Sequence, residues 1–246
     1  MIDVLIDDPW FAVVNKPIDL LTQAVAGIPS LQSLLIDQWR SGQCRSGQCR
    51  SEGSNPFVGI PHRLDRMTSG ALVVAKNQRA LTRLCQQFAA RSVQKEYIAW
   101  VMGQLDACGS WNDWIRKIPD VAKAEIVDPD TQGARQAELR FETLERSRLA
   151  TGQPVCLVRI ELMTGRMHQI RIQFASRGNP VLGDATYGGA IEWVRQEQET
   201  REPMLALHAS GLVFSHPKTA VRVAAHAPRP TAHPWNLPTP LDLSNA

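Results

Sequence analysis

Eight short stretches of the chain carry strand character, at 2–6, 10–15, 70–76, 95–102, 135–144, 154–162, 207–215 and 221–226. Only three carry helical spacing, near 31–39, 77–91 and 166–177. Many strands with few interspersed helices predict an α+β fold around a largely antiparallel mixed sheet. Asn77 is a natural cap for the second helix, whose Leu81, Leu84 and Phe88 form its inward face. With 246 residues, 43% of them hydrophobic, the chain can bury a sizeable core, and a single domain lobed by a central cleft is expected. No apolar run approaches the roughly 20 residues that span a bilayer, and the acidic start Met1-Ile2-Asp3 lacks a signal-peptide n-region, so a cytoplasmic location is expected.

Five cysteines, at 44, 49, 85, 108 and 156, are odd in number and scattered, which fits reduced thiols. Residues 40–44 and 45–49 are both Arg-Ser-Gly-Gln-Cys, and the stretch from about 40 to 56 reads as a flexible basic insert rather than a metal hook, since no nearby His or further Cys completes four ligands. The tail from about 228 to 246 is Pro-rich and is expected to run extended over the surface.

Residues 61–70 read Pro-His-Arg-Leu-Asp-Arg-Met-Thr-Ser-Gly and form the densest functional cluster. Asp65 stands among His62, Arg63, Arg66, Thr68 and Ser69, and cationic neighbours at close range favour its ionised form, which suits nucleophilic or base chemistry. An isolated Arg-x-Asp is more often a capped turn with a solvated ion pair. The added His62 and the Thr68-Ser69-Gly70 that follow make a site the better reading.

His62-Arg63-Leu64-Asp65-x-x-Thr68-Ser69-Gly70 is similar to the catalytic signature of the large-ribosomal-subunit pseudouridine synthase A family. Three later blocks support the resemblance in the right order. They are Lys95-Glu96-Tyr97, then Thr164-Gly165-Arg166-Met167-His168-Gln169-Ile170-Arg171 with Gly183-Asp184-Ala185-Thr186-Tyr187-Gly188, and finally Leu207-His208-Ala209. Val14-Asn15-Lys16-Pro17 also fits, although the family usually has Gly two places after that Pro where Asp19 stands here. Asp tolerates a left-handed backbone better than most residues, so the turn is expected to survive.

The resemblance implies a pseudouridine synthase fold with a catalytic cleft across the sheet, the 62–70 loop facing 164–177, and no separate N-terminal RNA-binding domain. It implies RNA, ribosomal or transfer, as substrate, and no metal or nucleotide cofactor, because the reaction has no net redox change and needs no energy input. Asp65 is then the essential carboxylate, by a nucleophilic or a glycal route. Arg171 is its counter-ion, and Tyr97 is the ring that stacks on the uracil and relays a proton. His62, Arg63, Arg66, Thr68, Arg166, His168 and Gln169 are the expected RNA contacts, and a monomer is expected.

Charge agrees locally: the net charge is only +3, but residues 62–95 hold seven Arg or Lys against Asp65 alone, and 159–177 hold four Arg against one Glu. A solvated helix face also explains Arg79, Arg83 and Arg91. Two other classes stay open: a catalytically silent RNA-binding or ribosome-assembly protein, and a glycoside hydrolase. The latter needs a second acid at a fixed separation. Beside Asp65 the matched blocks hold Glu96, which alternation turns away from Tyr97, and Asp184, in a turn read as shaping the cleft wall.

Overall fold

The computed structural model describes residues 1–23, 27–42, 56–189, 205–232 and 234–237. The repeat at 40–49 and its cysteines 44 and 49 therefore lie almost wholly outside the described residues. The chain divides into two compact units, Met1–Lys95 with Ala209–Pro228, and Glu96–His208 with Arg229–Ala246.

The first unit holds β1 (Asp3–Asp7), β2 (Phe11–Lys16), α1 (Leu31–Arg40), β3 (Ser69–Ala75) and α2 (Gln78–Ala89). The second holds β4 (Gln94–Met102, entered after its first two residues), β5 (Cys108–Lys117), β6 (Ala124–Ile126), β7 (Arg135–Arg148), β8 (Pro154–Leu162) and α3 (Gln169–Ala175). The chain returns to the first unit within β9 (Leu207–Ser215) and completes it with β10 (Arg222–His226).

In the first unit the strand order is β1-β2-β3-β9, with β10 added antiparallel to β9. β1–β2 and β2–β3 are antiparallel, the latter in register from Phe11 opposite Ala75 to Lys16 opposite Gly70. The apolar run Ala71–Ala75 is buried on both sides, which is why it reads as continuous rather than alternating. α2 begins where Asn77 accepts the Ala80 N–H, and its Ala80, Leu84 and Phe88 pack with Phe11, Val13, Val73 and Phe214. α1 starts on a capping box of Ser30 and Ser33 and buries Leu31, Leu35 and Trp39.

In the second unit the order is β4-β8-β7-β5-β6, antiparallel throughout. The α+β class with a mostly antiparallel sheet is as expected, but two strands, β5 and β6, were not. The third helix is also shorter than its periodicity suggests: it starts at Gln169, not 166, with His168 at its N-terminus in a left-handed conformation, φ +52°. Nor is the described part of the Pro-rich tail merely extended over the surface. Trp235 is buried with Trp100, Leu157 and Leu182, because an indole gains more from apolar burial than from solvent. Among the described residues no helix is long and apolar enough to cross a membrane.

Candidate active site

Register brings the exit of β2 and the entry of β3 to one end of the first sheet, and there the Asp65 loop is fastened from both sides. On its N-terminal side the Leu64 N–H donates to Thr22 Oγ1 (3.2 Å), whose hydroxyl donates back to the Leu64 carbonyl (2.8 Å). On its C-terminal side the Arg66 carbonyl accepts the Leu20 N–H (3.2 Å) and the Lys16 ammonium (3.1 Å). Asp65 sits between these fixed neighbours, half-buried, and its own carbonyl accepts the Thr68 N–H (3.0 Å) to close the turn. A carboxylate on a backbone held this way needs little reordering before reaction.

Lys16 is the centre of the fastening. It is fully buried, and its Nζ also donates to the carbonyls of Pro17 (2.8 Å) and Leu20 (2.7 Å). Burial lowers its pKa to about 7, opposed by the charges of Asp65 and then Asp19. Asp19 takes φ +60°, as expected of an Asp in the place of a turn glycine, and its Oδ1 holds Arg66 Nε at 2.7 Å. Gly70 is required where it stands: at φ +114° a Cβ would lie 2.3 Å from the Ala209 carbonyl oxygen.

Of the other expected contacts in this loop, Arg63 and Arg66 are exposed and Thr68 is buried. His62 is tied inward: its Nε2 accepts the Val73 N–H (3.1 Å) and its ring stacks on Phe88 at 4.3 Å. Burial, helped by the Lys95 charge, lowers its pKa to about 3. Because the unfolded chain binds a proton that the folded one refuses, His62 lowers stability as pH falls from about 6.5 toward 3. His62→Gln should therefore lose about 2–3 kcal/mol less than wild type between pH 7 and pH 4 in urea titrations; parallel losses would contradict this.

The second unit gathers the remaining expected residues on β4 and around α3. Tyr97 is buried on β4 opposite Ile160, while alternation places Glu96 on the other face. Arg171 is buried and forms a two-bond fork with Asp184, Nε to Oδ2 at 2.7 Å and Nη2 to Oδ1 at 2.8 Å. Asp184 also accepts the N–H groups of Thr186 (3.0 Å) and Tyr187 (3.2 Å). The Arg171 guanidinium lies 5.2 Å from the Tyr187 ring centre, and the Tyr187 hydroxyl meets His168 Nδ1 at 3.0 Å. Gln169 closes the 164–168 turn: its Oε1 accepts from Thr164 Oγ1 (2.8 Å) and the Arg166 N–H (3.0 Å), and its Nε2 donates to the Glu138 carbonyl (3.1 Å). Arg166 donates from Nε to the Gln136 carbonyl (2.8 Å). Among the described residues no group of three or more His, Cys, Asp or Glu is placed to hold a metal ion.

A family model described as RNA pseudouridylate synthase matches residues 11–176, a span that contains Lys16, Asp65, Tyr97 and Arg171. The chain belongs to the RNA pseudouridylate synthase family. The ribosomal large subunit pseudouridine synthase D of Xylella fastidiosa is 33% identical over 238 residues, 93% of this chain and 66% of that protein. The protein of the same name from Pseudomonas aeruginosa is 33% identical over 246 residues, 96% of this chain and 71% of its own length. The chain thus spans about two-thirds of the length of such relatives. Among solved structures, human RNA Pseudouridylate Synthase Domain Containing 1 superposes with a TM-score of 0.71 at 26% identity, covering 94% of this chain and 85% of that one.

Two residues of this RNA pseudouridylate synthase family member were missing from the sequence-derived site: Lys16 and Asp184. Both lay inside motif blocks, but nothing local marks a lysine as buried or pairs an aspartate with an arginine thirteen residues away. Asp184→Ala leaves the buried Arg171 charge without its two-bond partner, so a loss of about 3–5 kcal/mol is expected in urea unfolding. A loss below about 1 kcal/mol would show that the pair does not hold the 184–188 turn in place.

Proposed function

We propose that this protein isomerises uridine to pseudouridine in large-subunit ribosomal RNA, acting as a cytoplasmic monomer. The reaction breaks the C1′–N1 bond, turns the uracil, joins C1′ to C5 and moves the C5 proton away while N1 gains one. Atoms and electrons balance without a co-reactant. The observation that carries the reading is the Asp65 loop, fastened at Leu64 and Arg66 within the matched family span. The ribosomal target rests on the names of the relatives.

In this reading Asp65 is the essential carboxylate, attacking C1′ or assisting a glycal route. Tyr97 stacks on the extruded uracil and relays the closing proton, and Arg171 supplies positive charge to the reacting carboxylate. Extruding the uridine costs a few kcal/mol, which exposed Arg63 helps to offset beside the opened RNA. His62, Thr68 and Gln169 serve through the loops they hold, with Arg66, Arg166 and His168 toward RNA. The test is incubation of the purified protein with unmodified large-subunit ribosomal RNA and transfer RNA transcripts, followed by chemical mapping. Pseudouridine at one or a few ribosomal positions is expected. Pseudouridine confined to transfer RNA would overturn the target, and none in either would overturn the activity.

A further inference from the structure

On the first unit, the second half of α2 and the β9–β10 turn border an open groove of about 430 Å³, lined in part by Arg83, Gln87, Ser92, His216, Pro217 and Lys218. None of these residues belongs to the Asp65 loop or its fastening. The two segments that form the walls, 76–95 and 215–226, carry five and two Lys or Arg and no Asp or Glu. Asp8 does reach this face, but its Oδ1 accepts the Trp10 N–H (2.7 Å) and holds His216 Nε2 at 3.3 Å. Among the described residues, neither Arg83 nor Lys218 is paired with a carboxylate.

The walls are fixed in advance. Gln87 clamps the end of β9 from both directions, donating to the Ser215 carbonyl and accepting its N–H, each at 2.8 Å. Arg83 donates from Nη1 to the Pro217 carbonyl (2.5 Å), which ties its guanidinium to the β9–β10 turn. The Lys218 N–H donates to His216 Nδ1 at 2.8 Å, setting the turn. The Arg83 guanidinium and the Lys218 ammonium lie 5.9 and 5.8 Å from the ring centre of the half-buried Trp10. Two cations without a carboxylate partner, both held beside one indole at the edge of a groove, match the phosphates of a nucleic-acid strand.

We propose that this groove is a second RNA-binding site, in which Arg83 and Lys218 hold phosphates of the substrate backbone. The proposal rests on the RNA-isomerase reading for the identity of the polyanion. The test is performed in an Asp65→Asn background, so that binding is read without turnover, using the anisotropy of a labelled large-subunit ribosomal RNA transcript between 50 and 300 mM salt, a range chosen to expose counter-ion release. Arg83→Glu with Lys218→Glu should weaken binding about tenfold or more and flatten the log–log salt slope by about 1.4, the loss of two phosphate contacts. Arg83→Lys with Lys218→Arg should bind within about threefold of the parent, which separates charge from wall structure.

Unchanged affinity and slope in the double Glu variant would overturn the site and leave an acidic protein partner as the better occupant of the groove. Equal losses in the charge-conserving variant would overturn it as well. The isomerase reading fails separately, through absence of pseudouridine formed by the protein with Asp65 intact.

Discussion

Asp65→Asn should leave the protein folded and able to bind RNA while lowering pseudouridine formation by at least about 10⁴-fold, the scale on which removal of an essential nucleophile acts. The substitution keeps the side-chain shape and removes the charge. The hydrogen bonds that fasten the loop run through the backbone of Leu64 and Arg66 and through Lys16 and Thr22, and none of them ends on the Asp65 carboxylate. Single-turnover conversion of a transcript, with binding measured in parallel, checks both halves. A variant that retains a tenth of wild-type turnover would show that the carboxylate is not essential; one that loses RNA binding equally would show that Asp65 acts in recognition.

Lys16→Met should separate activity from stability. Removing the amine leaves the Pro17 and Leu20 carbonyls without their donor, at about 1–3 kcal/mol each when buried. Opposing this, a pKa lowered from 10.5 to about 7 means that holding the ammonium in the fold costs about 5 kcal/mol relative to the unfolded chain. The terms nearly offset, so unfolding free energy should change by about 2 kcal/mol or less at neutral pH. Turnover should fall by about 10² or more, because the Arg66 side of the Asp65 loop loses its cationic anchor.

The pH dependence follows from the same numbers. Between about 7 and 10.5 the native chain binds fewer protons at Lys16 than the unfolded chain, so this group makes stability rise with pH across that window. Activity moves the other way, since a neutral amine has two N–H donors for three carbonyls. Wild type should therefore lose turnover above pH 7 while gaining stability relative to Lys16→Met. A stability gap independent of pH from 7 to 10 would contradict the buried-ammonium picture.

Much of this was legible in the sequence because local signals and final structure agree. The Asn77 cap, the Leu84 and Phe88 face of α2 and the span 154–162 of β8 each follow from short-range chemistry. Asp19 was legible for a sharper reason: few other residues replace glycine at positive φ. What failed was whatever depends on distant partners. β5 contains Gly109, Ser110, Asn112 and Asp113, all poor strand formers, and exists because eight consecutive residues pair with β7. The periodicity of Met167, Ile170 and Phe174 extended the third helix backwards, but the Gln169 amide draws the preceding turn closed and His168 breaks the helical path. Trp235 looked like part of an exposed tail only because its apolar neighbours lie far away in the chain. Within the candidate site, Asp65, Tyr97 and Arg171 were singled out by motif. The burial of Lys16 and the carboxylate partner of Arg171 were not, since both are set by packing.

The most direct measurement is a pseudouridine map of total RNA from cells lacking this gene, complemented in parallel with the wild-type chain and with Asp65→Asn. One or a few large-subunit ribosomal positions should lose pseudouridine in the deletion, regain it with the wild type and stay uridine with Asp65→Asn. A map identical in all strains, or one restored equally by both chains, would contradict the assignment of Asp65 as the residue that makes this protein an isomerase.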